Sequence, residues 1–441
     1  MASLLYKKNT PTVGQPCLIY VTNSFPYGMK EVFARDEFPF LLERFQRVIL
    51  APRSAPGDIL YEQIEHLVSL SPVLLPSKWA KVPFWATAAA ISLLVNEYKS
   101  YKHCKIKPKI NTLLKAIGIA LHARSVLRKF LLKQKLEKTP VVIYSFWFNE
   151  SVFGFGMLRS EFPQIRVVTR AHGGDLYPDQ SPDSYLPLRF QRTQAVDLIC
   201  PCSENGADCL RQDGFPVDKV MVARLGVPSG KNVCSPSPEG HLVLVSCSSA
   251  VSVKRLPLLV ESLRDLALHR PDLRLTWHHL GGGADLSTLS AYADAALTLL
   301  PNLQYTLHGQ LPVEDVRAFL AGRPLDVLVN VSSSEGIPVS MMEALAVGLP
   351  VLATRVGGVP ELVTEQTGIL IPESFTPEQF RNAAGSLLRW KSLERRELIV
   401  DFFKQNYSNN TNYRKFVSEA LVAQMAISRA IAHGARDNLE V

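Results

Sequence analysis

Short apolar runs alternate with helical stretches along most of this chain, in two successive series, and that alternation admits few folds. Leu18-Ile19-Tyr20-Val21, Val48-Ile49-Leu50-Ala51, residues 141–145, Val167-Val168-Thr169-Arg170 and Leu198-Ile199-Cys200 make up the first series. Leu242-Val243-Leu244-Val245, residues 273–277, Tyr305-Thr306-Leu307, residues 325–331 and residues 351–354 make up the second. Runs this short and this apolar are buried on both faces, as in parallel sheets covered by crossover helices. Residues 226–241, with three prolines and three glycines, separate the two series. The pattern predicts an α/β chain of two doubly wound, Rossmann-like domains facing across a cleft, over residues 1–228 and 229–412. A helix follows over residues 413–441, carrying Phe416, Leu421, Met425 and Ile427. At 441 residues, one compact core is in any case too small a container.

Within the second series, residues 325–331 read as a strand, then Ser332, Ser333, Ser334, Glu335 and Gly336 as a loop, then a helix. Pro338 suits that helix's first turn, where its missing N–H needs no partner, and Gly348 and Pro350 end it. Such a turn aims free backbone amides and a positive helix end at one spot beyond the strand's carboxyl end, where a phosphate sits well. Glu335 and Glu343 flank that spot. Two carboxylates beside an anion site make sense if they hold neutral, hydroxyl-rich groups on either side of it. A nucleotide sugar, with ribose at one end and a hexose at the other, fits. The bland alternative is a solvated helix with ordinary acidic residues.

The ordered run resembles the Glu-x7-Glu region of the retaining family 4 glycosyltransferases of GT-B fold, in particular bacterial enzymes of exopolysaccharide, capsule and lipopolysaccharide assembly. Seven residues separate Glu335 from Glu343. Residues 348–354 (Gly-Leu-Pro-Val-Leu-Ala-Thr), 357–363 (Gly-Gly-Val-Pro-Glu-Leu-Val) and 367–372 (Thr-Gly-Ile-Leu-Ile-Pro) are similar as well. The resemblance implies that Glu335 contacts the transferred sugar and Glu343 the ribose hydroxyls. Gly336, Ile337, Pro338 and Val339 would line the donor, and Gly309, in the segment over residues 305–316, would sit where the nucleotide base is cupped. Lys254 matches the family's diphosphate-neutralising lysine, whereas Ser249 stands where the family has an arginine. Leaving-group help then falls on Lys254, on Arg255 or on an uncharged donor.

Residues 169–177 (Thr-Arg-Ala-His-Gly-Gly-Asp-Leu-Tyr) are similar to the segment that holds the family's active-site histidine. His172 would hydrogen-bond the transferred sugar and steady developing positive charge. Gly281, Gly282 and Gly283, between a strand and a helix, let a ligand or another backbone approach closely. The first strand–helix turn, from Asn23 to Glu31, departs from the Gly-Gly loop of many family members. The family pattern further implies a terminal helix that crosses back onto the first domain, and a front-face reaction with no cofactor and no metal. A GT-B nucleotide-sugar epimerase and a catalytically silent scaffold that binds a partner enzyme remain open beside this reading.

Composition narrows the setting. Seven cysteines, an odd number, argue against a disulfide framework, and Cys200-Pro201-Cys202 lacks the spacing of zinc pairs. Tyr6, Lys7 and Lys8 stand where a signal peptide would be apolar, and the uncharged run over residues 82–95 is too short to span a bilayer. A cytoplasmic protein is expected, peripheral on the inner face of the plasma membrane. Residues 79–138 hold eleven lysines and two arginines against Glu97 and Glu137, a balance of +11. Since the whole chain carries +8, the remainder sums to −3. Either these are solvated helix faces or they form a surface for anionic lipid. Without interleaved aromatics or a reader module, nucleic acid is not expected. The expected partners are a nucleotide sugar donor and a saccharide or lipid-linked acceptor.

Overall fold

In the computed structural model, residues 15–28, 31–59, 69–75, 88–100, 108–178, 185–230 and 232–434 are described. Tyr6, Lys7, Lys8, Met29, Lys30, residues 82–87, and Lys81, Lys102, Lys105 and Lys107 of the basic block lie outside these residues. The chain divides into two units. One joins residues 1–202, 206–223 and 413–441; the other joins residues 203–205 and 224–412.

The first unit is built on a parallel sheet in the order β3-β2-β1-β4-β5-β6. Its strands are β1 (Cys17–Thr22), β2 (Val48–Pro52), β3 (Ser69–Leu70), β4 (Val141–Ser145), β5 (Arg166–Ala171) and β6 (Leu198–Pro201). Every residue of β1 is buried, because β2 and β4 pair with its two edges and helices cover its faces. The basic block supplies the helices Ala88–Ser100 and Ile110–Lys133. The second turns Leu113, Ala116, Ile117, Ala120, Ala123 and Leu127 inward at helical spacing. Gly154 lets the next helix, Glu150–Gly156, lie against it, since a Cβ there would fall 2.1 Å from the Ala120 carbonyl oxygen.

The chain's terminal segment belongs to this unit. Ser428 in the helix Ala423–Ala432 accepts from the Val141 N–H at 2.9 Å and donates to the Gln164 carbonyl at 2.6 Å. Beneath the segment lies a fully buried ion pair, Arg170 with Glu37 at 3.1 Å, to which the Tyr144 hydroxyl also donates. The Arg170 guanidinium lies 4.0 Å from the Phe416 ring centroid. A buried charge pair is tolerable only with its remaining hydrogen bonds made, and Arg170 makes another to the Ala223 carbonyl at 2.6 Å.

The second unit has the order β12-β11-β10-β7-β8-β9, again parallel. Its strands are β7 (His241–Cys247), β8 (Arg274–Leu280), β9 (Leu303–Leu307), β10 (Val327–Asn330), β11 (Val351–Thr354) and β12 (Gly368–Ile371). β12 and the two-residue β3 extend the sheets beyond the strands expected from sequence. Gly368 weakens the β signal of its run, yet only glycine fits there: a Cβ would stand 1.9 Å from the Val351 carbonyl oxygen of the neighbouring strand.

Candidate active site

In the second unit, β10 delivers the chain into a loop that ends at the helix Val339–Leu345. Pro338 is the residue that precedes that helix, not its first turn, with φ −70°. Gly348, at φ +73°, turns the chain out of it, in a conformation that favours glycine. Glu335 sits in the loop, 8% exposed. One of its oxygens, Oε1, accepts from Lys254 Nζ at 2.5 Å, Ser332 Oγ at 2.7 Å and Asn330 Nδ2 at 3.1 Å. The loop's backbone is fixed by Gly357 and Gly358. The Gly358 N–H donates to the Gly336 carbonyl at 3.0 Å, and a Cβ on Gly357 would stand 1.8 Å from the Glu335 carbonyl oxygen. The glycine pair therefore serves to let two backbones touch.

Glu343, on the helix, is 6% exposed and pairs with Arg317 of the helix Val313–Gly322 at 2.9 Å. The Cys247 thiol, at the end of β7, is pushed up to about 12 by burial and by Glu343, with Lys254 acting against them. Lys254 ends a single 3₁₀ turn, Ser252–Lys254, and Arg255 follows at φ +48°. Arg255 is spent on structure. Its three nitrogens donate to the carbonyls of Val331 at 2.7 Å, Glu373 at 2.9 Å and Ser332 at 3.2 Å, which holds the exit of β10. Of Lys254 and Arg255, Lys254 is the one that meets Glu335.

Gly281 and Gly283 make room for backbone. A Cβ on Gly281 would fall 1.9 Å from the Ser248 carbonyl oxygen, and one on Gly283 would fall 2.5 Å from that of Ala250. Gly309, at φ +68°, accepts from the Gly281 N–H at 2.9 Å, so it joins two loops at the carboxyl edge of the sheet. Beside it, His308 Nε2 lies 3.2 Å from His278 Nδ1. Burial, with His308 beside it, pushes His278 down to about 4.

In the first unit, β5 ends at Ala171, and His172 follows it, directly before the short helix Gly173–Leu176. Asp175 Oδ2 accepts the backbone N–H groups of His172 at 3.1 Å and Phe148 at 3.2 Å, and lies 3.5 Å from His172 Nδ1. The ring is enclosed by aromatics: Trp147 at 4.6 Å, Phe146 stacked at 4.8 Å and Phe33 at 6.4 Å between centroids. Burial opposes the charged imidazole, but Cys202 and Asp175 outweigh it and hold His172 up to about 9. Both ring nitrogens are buried and, among the described residues, neither has a partner closer than Asp175 Oδ2. In the same unit, Glu31 binds the first strand–helix turn, and Glu150 meets Arg53 at 3.2 Å.

The family model described as "Glycosyl transferases group 1" matches residues 234–400. These residues form a group 1 glycosyltransferase domain. The chain is 30% identical over 220 residues to a protein of Escherichia coli K12 named as the colanic acid biosynthesis glycosyltransferase WcaL, covering 47% of this chain and 52% of that one. It is 27% identical over 244 residues to the amylovoran biosynthesis glycosyltransferase AmsK of Erwinia amylovora, covering 50% and 56%. The chain thus spans about half the length of the curated relatives it matches. Among solved structures it resembles the lipopolysaccharide outer core galactosyltransferase WaaB (TM-score 0.64, 14% identity, 93% of this chain and all of that one). It also resembles Anabaena Alr3699/HepE, solved with UDP and glucose (TM-score 0.61, 16% identity, 92% and 99%). The fold is GT-B.

In the group 1 domain, Glu335, Lys254 and the loop before Val339 come together, with Glu343 on the helix that follows. Asn330, Ser332 and Arg317 complete these contacts, and sequence reasoning missed all three. Ser332 and Asn330 precede Glu335 closely enough to suggest themselves, whereas Arg317 lies on a different helix and gives no local signal. Among the described residues, no group of three or more His, Cys, Asp or Glu stands where it could hold a metal ion. No helix among them is long and apolar enough to cross a membrane.

Proposed function

We propose that the chain is a retaining glycosyltransferase of family 4 type. It would move a hexose from a uridine diphosphate sugar to a saccharide or lipid-linked acceptor in exopolysaccharide assembly. One observation carries the reading: Lys254 Nζ on Glu335 Oε1 at 2.5 Å, in the loop that opens into the helix bearing Glu343. The names of the relatives support polysaccharide assembly, and the neighbour solved with UDP supports the donor. In the reaction, the bond from the sugar's C1 to the diphosphate oxygen breaks while the acceptor hydroxyl oxygen bonds to C1 on the same face. The hydroxyl proton passes to the departing phosphate. Lys254 and the amides ahead of Val339 would carry the charge that collects on the diphosphate, so the reaction is proposed to need no divalent metal. Glu335 would hold the sugar's hydroxyls and Glu343 the ribose.

A protonated His172 changes the role that the family resemblance implies. A cation cannot steady a developing positive charge, so His172 is proposed to donate a hydrogen bond to a sugar hydroxyl or to the phosphate. Attachment to an anionic membrane surface on the cytoplasmic side is also proposed. Ile91, Val95 and Tyr98 form an exposed apolar stripe on the helix Ala88–Ser100, and Lys99, Lys109 and Lys115 are exposed beside it in sequence.

The test is mass spectrometry, with NMR spectroscopy for sugar and anomeric configuration, of a panel of UDP-sugars incubated with and without a lipid-linked acceptor extract and with and without a metal chelator. A hexose added to acceptor, with the donor's anomeric configuration and in the presence of chelator, is expected. A sugar altered without acceptor would instead mark an epimerase, and no nucleotide release from any donor would mark a silent scaffold.

A further inference from the structure

Glu31 is a buried carboxylate, 5% exposed, whose two oxygens are both taken. Oε2 accepts the backbone N–H groups of Ser24 at 2.5 Å and Phe25 at 2.8 Å, and the Ser24 hydroxyl at 3.3 Å. Oε1 accepts the Asn23 N–H at 3.0 Å and the Trp147 indole N–H at 2.5 Å. Three consecutive backbone amides aimed at one point make a concavity suited to an anion. Here the chain's own carboxylate fills it. The indole it holds packs on the His172 ring at 4.6 Å. Phe33, two residues beyond Glu31, closes the same pocket, 5.5 Å from Phe146 and 6.0 Å from Trp147. Arg53 braces the turn from another side, donating to Asn23 Oδ1 at 2.8 Å.

We propose that Glu31 is a positioning residue. It occupies the anion site of the first strand–helix turn and, through Trp147, fixes the His172 ring. Two consequences follow. The amides of Asn23, Ser24 and Phe25 are taken and cannot serve a substrate phosphate, and the geometry at His172 depends on a carboxylate that never touches substrate. The catalytic part of the proposal rests on the glycosyltransferase reading; the structural part does not.

The experiment uses the full chain, labelled with ¹⁵N-tryptophan, as parent, Glu31→Ala, Glu31→Gln and Trp147→Phe. The Trp147 indole resonance, assigned by its loss in Trp147→Phe, should lie downfield in the parent and move upfield in Glu31→Ala. Added formate, a free carboxylate, should refill the site and return the resonance. Turnover, read as nucleotide release from UDP-sugars, should fall about ten- to a hundredfold in kcat in Glu31→Ala, with donor KM within about threefold. Formate should restore it. Glu31→Gln should resist rescue, because its amide fills the space and turns an N–H toward other donors.

An indole resonance that does not move in Glu31→Ala overturns the proposal. So does an unchanged kcat, or a resonance that formate restores without restoring turnover. Should Glu31→Ala fail to fold, Trp147→Phe breaks only the link from carboxylate to indole, and an unchanged kcat there overturns the positioning role. Should the parent release no nucleotide from any donor, the glycosyltransferase reading fails, while the indole and formate measurements still decide the structural claim.

Discussion

Glu335 and Glu31 are both buried carboxylates beyond the carboxyl ends of parallel strands, one in each unit, and they are spent differently. Glu31 has donors on both oxygens, and four of the five come from the turn it organises. Among the described residues, Glu335 receives three donors, all on Oε1, one of them the ammonium of Lys254, whose side chain is 22% exposed. A carboxylate whose capacity is used up holds structure; one with an oxygen and a movable cation to hand can exchange partners with a ligand. The same residue type, at comparable burial, thus reads as scaffold in one sheet and is proposed as a ligand contact in the other.

The largest effect expected from that contrast is on turnover. Glu335→Ala should lower kcat about 10²–10³-fold, as expected for loss of a preorganised contact to the reacting sugar. Initial rates with a saturating UDP-sugar measure it, and activity within a few-fold of the parent would mean that Glu335 makes no contact that the reaction needs. Stability should divide the pair the other way. Glu31→Ala strands several buried donors and should lower unfolding free energy by about 2–4 kcal/mol, whereas Glu335→Ala should cost less than about 1 kcal/mol. Urea unfolding of the two variants side by side checks this, and equal losses would erase the distinction.

Glu343 sharpens the comparison from within the group 1 domain. It is paired with Arg317 at 2.9 Å, so a nucleotide proposed to bind there would compete with that cation. Glu343→Gln should weaken nucleoside diphosphate binding by about 1.5–3 kcal/mol through loss of charge-assisted bonds. Unchanged affinity by calorimetry in a folded variant would return Glu343 to a purely structural pairing with Arg317.

His172 gives a pH signature of the first unit. Its folded pKa, about 9, lies above the ordinary 6.5, so its contribution to stability is present in full below about 6.5. That contribution is lost as pH rises through 9. Stability of the parent should decline over this window by about 1–2 kcal/mol more than that of His172→Phe. Parallel pH profiles would mean that Asp175 and Cys202 do not hold the charge. The smallest effect is at the surface. Lys99, Lys109 and Lys115 changed together to glutamine should weaken co-sedimentation with anionic vesicles at low salt by about 1 kcal/mol per residue at most. Neutral vesicles should bind little, and insensitivity to the triple change would assign attachment to the apolar stripe.

Much of this was legible in the chain itself, for reasons that also mark the limits. Buried parallel strands announce themselves as apolar runs, which is why β1, β2, β4 and β11 stand where the sequence put them. Gly368 hid β12, and two residues were too few to reveal β3. The loop around Glu335 could be read because strand, loop, helix and flanking glycines follow one another without interruption. Arg317, by contrast, reaches Glu343 from a separate helix, and the bond from Trp147 to Glu31 spans well over a hundred residues of sequence. Contacts of that kind are made by topology and leave no local pattern. Arg255 shows the converse: a cation in the right sequence position whose guanidinium is consumed by three carbonyls.

Calorimetric titration of UDP and of UDP-glucose into the parent and Glu335→Ala tests the central claim most directly, because UDP lacks the sugar that Glu335 is proposed to hold. The account predicts UDP affinity within a few-fold in the two proteins, with the extra affinity that the glucosyl group confers on the parent lost in the variant. Equal losses for UDP and UDP-glucose would contradict it, and would place Glu335 at the nucleotide end of the site.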